Sequence, residues 1–119
     1  MADTRLIKTQ IEPYVRQWLG GQFPGHVFSE RLVPLSSGLS YKFDAVSQDD
    51  SIVAATLCNR PKTRTGRENT GGVRKALAEV GYLKGLPAAT KKLMVFTDIA
   101  FRNLVRRRAQ RIGTEEIQM

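Results

Sequence analysis

The sequence predicts an α/β domain, a mixed sheet with helices on its faces. Three observations carry that expectation. In KFDAVSQDDSIVAATLCN (42–59) a strand with period-two alternation is followed by an Asp-rich turn and then a nearly unbroken apolar run. A helical repeat separates that run from a second apolar run, KKLMVFT, as a crossover between neighbouring strands requires. An amphipathic stretch at the start of the chain supplies a helix for the other side of the sheet.

Taken in order, Leu6, Ile7, Ile11, Tyr14, Val15, Trp18 and Leu19 are spaced for one face of a helix over 4–19, stopped by Gly20-Gly21. Pro13 kinks or restarts it, because proline cannot donate the backbone bond of an unbroken helix. Trp18 is expected in the core. Strands are expected at 27–35 and 39–47, the latter from Leu39, Tyr41 and Phe43 alternating with Ser40, Lys42 and Asp44. SQDD reads as a hairpin connection whose acids satisfy local backbone groups. The strand at 51–58 is apolar throughout and is expected at the centre of the sheet, covered on both faces. From Asn59 to Gly72 there is no apolar periodicity, so an exposed, mobile loop is expected. Val73, Leu77, Val80 and Leu83 mark a helix ended by GLP, followed by a strand at 92–97. Asp98 is placed to cap a last helix with Ile99, Leu104, Val105 and Ile112 inward, and a short strand can follow at 115–118.

At 119 residues the chain reads as one domain, 1–119, of ordinary size. Its 41% hydrophobic and 25% charged composition excludes a disordered class, and its apolar runs are too short to span a bilayer. The first ten residues lack the apolar core of a secretory signal, so a cytoplasmic setting is expected. One cysteine, Cys58, excludes an intrachain disulfide and a cysteine zinc cluster. Lys and Arg outnumber Asp and Glu by 19 to 11, a formal charge of +8, which favours a polyanionic partner.

The order of elements, with Asp44 in KFDAV on the second strand and an apolar third strand after a short turn, resembles the restriction-endonuclease-like superfamily, the PD-(D/E)XK nucleases. The resemblance spans residues 4–112. It implies a mixed sheet of four or five strands flanked by helices and Mg²⁺-dependent phosphodiester hydrolysis. Asp44 matches the family's second-strand Asp as catalytic and metal-binding residue, and Glu12 matches its helical Glu. Behind Asp44, the acid and Lys of the third-strand motif fall on Ala55 and Leu57, so that motif is incomplete. A hard cation needs oxygen ligands, and the attacking water needs a neighbouring cation to orient it. Hydrolysis is therefore expected to be poor, and Ala55→Glu with Leu57→Lys to create or restore it. Three sources could fill the gap: the Thr56 carbonyl as metal ligand, Asp49 or Asp50 from the turn, or Lys75 and Glu79 on the following helix.

Nucleic acid is the expected partner, through Arg60, Lys62, Arg64 and Arg67 in the loop, Lys75, and Arg102 and Arg106 in RNLVRRRAQR. No aromatic residues interleave these cations, which favours backbone contact over base stacking. A homodimer, or a partner subunit completing the site, fits the same pattern. The alternative class is a basic binding or assembly protein without catalysis. His26 has no neighbouring acid or cysteine in the sequence and reads as structural.

Overall fold

The computed structural model describes residues 4–119. The first helix has three parts: α1 (Thr4–Leu6), a π-helical turn (Ile7–Ile11) and α2 (Glu12–Gln22). The Glu12 N–H reaches back five residues to the Ile7 carbonyl, so the wide turn is complete one residue before Pro13. Pro13 then occupies the first turn of α2, where no N–H is required of it. The chain thus resumes α-helix at Glu12.

Five strands follow: β1 (Phe28–Pro34), β2 (Ser40–Ser47), β3 (Ile52–Leu57), β4 (Lys91–Phe96) and β5 (Ile117–Gln118). They lie in the order β1-β2-β3-β4-β5, with β1–β2 and β2–β3 antiparallel and β3–β4 and β4–β5 parallel. The apolar strand β3 is central, as its composition requires. Helix α3 (Thr70–Lys84) crosses from β3 to β4, and α4 (Ile99–Arg108) follows β4. Asn69 caps α3 by accepting from Gly72 N at 3.0 Å, and Asp98 caps α4 by accepting from Phe101 N at 2.9 Å.

The two faces of the sheet bury separate cores. On one, Val53, Ala55 and Leu57 of β3 pack with Ala76, Val80 and Leu83 of α3 and with Phe101 and Val105 of α4. On the other, Ala45, Ile52, Ala54 and Leu93 pack against Val15 and Leu19 of α2. Helix α2 is alone on its side and leaves part of β4 uncovered. Trp18, expected in the core, is 45% exposed for this reason and lines an open groove with Phe23, Val95 and Ile99. Tyr14, Ile99 and Ile112 are likewise exposed rather than inward. The edge beyond β4 is covered at its start by β5, whose Ile117 is buried; Lys92 donates to Glu116, and Lys84 donates to the Ile112 and Gly113 carbonyls.

The segment expected to be an exposed loop is exposed, and it contains a small hairpin. Lys62 and Glu68 form a bridge, Thr63 N donates to the Arg67 carbonyl, and Gly66 turns the chain at φ +84°. Asn69 ties its base, donating from its backbone to Pro61 O and from its side chain to Arg60 O.

Gly72 is where this packing is tightest, since a Cβ there would lie 2.7 Å from the Asn69 amide nitrogen and 3.2 Å from Asn59 Cβ. Gly72→Ala is therefore expected to displace the cap and lower stability by about 1–2 kcal/mol, the usual worth of a helix cap, read by chemical denaturation. A variant as stable as the parent would show that the cap is not tight.

Candidate acidic site and basic surface

Pairing of β1 with β2 slips once: Ser29 faces Val46 and Arg31 faces Phe43, so Asp44 and Ala45 together face Glu30. This is a β-bulge, which re-aims side chains. Phe43 and Val46 belong to the core under α3 and α4, whereas Ala45 packs toward α2 and Asp44 groups with Glu12 of that helix. Asp44 keeps the face that alternation from Phe43 assigns to it, and because α2 covers that face here the acid is half-buried rather than wet.

The groups freed by the bulge are satisfied locally. Asp44 Oδ2 accepts the Thr56 N–H at 2.9 Å, and the Asp44 carbonyl accepts from Arg16 Nη1 at 3.0 Å. Glu12, at the start of α2, is buried, and Glu30 on β1 also meets Lys42 Nζ at 3.1 Å. One carboxylate oxygen from each of Glu12, Glu30 and Asp44 lies within 4.8 Å of the others.

The sequence placed Glu12 and Asp44 together, and the structure does so. Thr56 also joins them, through its amide N–H. Ala55 and Leu57 do not: each is 1% exposed and faces α3 and α4, on the opposite side from α2. The residues of β3 on the α2 side are Ile52, Ala54 and Thr56, of which Thr56 reaches the acids. Glu30 was missed by sequence reasoning. A signal existed, because the alternation through Leu39, Tyr41 and Phe43 breaks at the adjacent apolar pair Ala45-Val46.

The other acids behave as structural groups. Asp49 accepts from Ser51 N, Ser51 Oγ and Ser47 Oγ, and these bonds hold its carboxyl well below the usual range. It also lies 3.6 Å from His26 Nε2, an acidic neighbour the sequence did not reveal. Asp50 has φ 63° and pairs with Arg31. Lys75 and Glu79 do not form a surface pair. Lys75 is exposed, whereas Glu79 is buried and accepts from the Tyr41 hydroxyl at 2.6 Å. Burial raises the Glu79 pKa against the lowering effect of that hydrogen bond, and the charges of Asp44 and Glu12 add to the rise while Lys75 opposes it.

The basic residues form a surface built on the hairpin. Arg60, Lys62, Arg64 and Arg67 are all exposed. Glu68 pairs with Arg108 of α4, and Arg107 lines a shallow cleft with Pro61, Lys62 and Glu68. The contribution of α4 to this surface therefore comes from Arg107 and Arg108. Arg106 is exposed, but Arg102 is half-buried at the apolar groove beside Trp18 and Ile99. The hairpin leaves from the end of β3 next to Thr56. There the Cys58 thiol, raised mainly by burial, also feels the charges of Glu12, Asp44 and Lys75.

No protein-family model, curated protein or solved structure matches this chain. No helix among the described residues is long and apolar enough to cross a membrane.

Two outcomes follow. Ala55→Glu with Leu57→Lys would bury both charges in the core under α3 and α4, so the double variant is expected to lose several kcal/mol of stability and gain no cleavage. A stable variant that cleaves would reverse the assignment of faces. Glu79 binds its proton more tightly folded than unfolded, so its contribution favours folding below its raised pKa and is lost as pH rises through that value. Glu79→Gln keeps an acceptor for Tyr41 and removes the buried charge. It should raise the melting temperature at neutral pH and flatten the decline from mildly acid to neutral pH; a lower melting temperature at neutral pH would contradict this.

Proposed function

We propose that this chain is a nucleic-acid-binding domain of the restriction-endonuclease-like, PD-(D/E)XK type, with metal-dependent phosphodiesterase ancestry and weak hydrolysis. One observation carries the reading: an ordered hairpin bearing Arg60, Lys62, Arg64 and Arg67, braced on arginine-rich α4, rises from the strand end where Glu12 and Asp44 meet. Four exposed cations at fixed spacing suit a phosphate backbone, and arginine presents paired donors to phosphate oxygens. Because the hairpin is already folded, little ordering cost is added on binding.

The carboxylates suit Mg²⁺, since all three offer hard oxygen atoms. When bound, such an ion supplies Lewis-acid polarisation of a phosphate oxygen and a lowered pKa for water. The chain's own residues do the rest. The hairpin holds the backbone of the nucleic acid, Arg16 and the Thr56 amide fix the Asp44 main chain and carboxylate, and Glu12 is held by the restart of α2. On β3 the positions on the α2 side are Ile52, Ala54 and Thr56, so no lysine stands on that strand to orient an attacking water. This favours slow hydrolysis, and loss of one such electrostatic stabiliser typically lowers rate about 100- to 1000-fold. The Lys42 contact to Glu30 favours a second reading, a basic nucleic-acid-binding or assembly protein without catalysis.

Affinity for duplex DNA or RNA, measured across a salt series, is expected to fall steeply with salt. Neutralising Arg60, Lys62, Arg64 and Arg67 should reduce the logarithmic slope by about one unit for each phosphate that a side chain no longer neutralises. Salt-independent binding would refute backbone contact. In plasmid and RNA cleavage assays with Mg²⁺ or Mn²⁺, the parent chain is expected near background, with any excess abolished by Asp44→Asn. Cleavage that survives Asp44→Asn would place the site elsewhere, and complete inactivity in both would favour the binding protein.

A further inference from the structure

The outer surface of α2 departs in composition from the rest of the chain. Charged residues make up 25% of the sequence, yet the exposed positions of this helix are Tyr14, Gln17, Trp18, Gly21 and Gln22, and none carries a charge. The outer face of a surface helix is ordinarily charged and polar. The charged side chains of α2, Glu12 and Arg16, turn instead toward Asp44.

Beside this helix the sheet lacks a cover. Helices pack about 8–10 Å apart and strands about 4.8 Å apart, so one helix covers roughly two strands. Helix α2 lies over Phe28 of β1, Ala45 of β2 and Ala54 of β3, and it meets β4 through Leu93 while Val95 stays partly exposed. The rest of β4 floors a groove made of two adjoining hollows, of about 460 and 580 Å³, that share Trp18, Val95, Phe96 and Thr97. Tyr14 and Ile99, 68% and 69% exposed, also line it. Among the described residues Arg102 is the one charged side chain lining either hollow, and its Nε is buried with no hydrogen-bond partner. Aromatic and apolar surface depleted of charge is the composition of an interface core.

The helix and the groove complement each other. The floor over β4 lacks one helix, and α2 presents an apolar outer stripe, Tyr14 and Trp18 one turn apart, with no sheet against it. A molecule that carries both a deficit and the matching surplus satisfies the two at once when a two-fold axis relates it to a copy, since each patch then meets the other twice. The charge of the chain points the same way. Two copies of formal charge +8 repel wherever basic surface meets basic surface, so an uncharged face is where they can close.

We propose that the chain forms a two-fold dimer in which α2 of each copy lies over β4 of the other, with Tyr14 and Trp18 filling the groove beside Ile99. Gln17 and Gln22 of the incoming helix bring neutral acceptors to Arg102, and the basic hairpin takes no part in the contact. This pairing rests neither on the acidic cluster nor on nucleic-acid binding.

Sedimentation velocity of the full chain, from micromolar to submillimolar concentration, tests the pairing. The parent is expected to pass from monomer to dimer and no further, because an isologous contact closes on itself. Added salt should increase the dimer fraction by screening repulsion between the copies, the reverse of its effect on nucleic-acid binding. Trp18 is the chain's one tryptophan, so its emission should move to shorter wavelength as dimer forms. Tyr14→Glu and Ile99→Glu should each weaken dimerisation about tenfold or more, since the contact would desolvate a carboxylate. Both side chains are mostly exposed in the single chain, so melting temperatures at the dilute end should match the parent's, which separates loss of pairing from loss of fold. Leu39→Glu, as exposed but beside α3 on the other face, should dimerise as the parent does. Association that weakens with salt, growth beyond the dimer, parent-like dimerisation of Tyr14→Glu or Ile99→Glu, or loss of dimer in Leu39→Glu would each overturn the proposal. A parent monomeric throughout would overturn it too, and a shift of Trp18 emission on adding decanoate to that monomer would give the groove to a small amphipathic anion held by Arg102.

Discussion

The hydrogen bond from the Thr56 amide to Asp44 Oδ2 is the contact on which the acidic end of the sheet depends. Ladder pairing between β2 and β3 covers Ala45–Ala54 and Val46–Val53, and beyond it the Asp44 side chain takes the place of a backbone acceptor. That exchange lets the bulge exist without an orphaned amide. It also fixes the carboxylate, because its donor belongs to a strand buried on both faces. Arg16 secures the other side of the same residue by holding its carbonyl, which couples α2 to β2 at the level of Glu12.

The two faces of the sheet have different tasks. The face under α3 and α4 is a closed apolar core, and its Ala and Leu positions on β3 are explained by packing alone. The face under α2 is thinner, with a single helix, and holds the acids at one end. Burial of Glu79 on the closed face belongs to a different arrangement, a carboxyl held by Tyr41, whose ring stacks on Tyr82 at 3.8 Å between centroids. The phenol keeps its proton far above the ordinary tyrosine range because burial and the acceptor both favour the neutral form.

Much of the architecture was legible in the sequence because it rests on periodicity. The alternation of β2, the unbroken apolar run of β3 and the helical spacing from Val73 to Leu83 each specify an element without reference to its neighbours. Glu12 and Asp44 were legible as a pair only through a resemblance of element order. What the sequence concealed depends on register. One extra residue in β2 breaks the count from Asp44 to its neighbours on β3, so aligning Ala55 and Leu57 behind it chose the wrong side of that strand. Glu30 was marked only indirectly, by the break in alternation at Ala45-Val46, since its place is set by a cross-strand partner. Trp18 was misplaced because a helical stripe records which residues are apolar, not how much sheet lies beneath them. The hairpin at 62–68 was hidden because its order comes from Asn69 and Glu68, polar residues that a search for apolar periodicity passes over.

The short strand β5 has a consequence for the behaviour of the molecule in concentrated solution. Strand β4 is apolar, parallel to its inner neighbour and, without β5, would present an open row of backbone donors and acceptors at the side of the sheet. Such edges template intermolecular pairing and aggregation. Two residues cover the beginning of that row, at Lys92 and Leu93, and they are held by the Lys92–Glu116 contact and by Lys84 grasping the preceding turn. The protection of this edge thus hangs on a few polar contacts far from the acidic end, and fraying of the segment would bare the start of β4 to pairing with another strand.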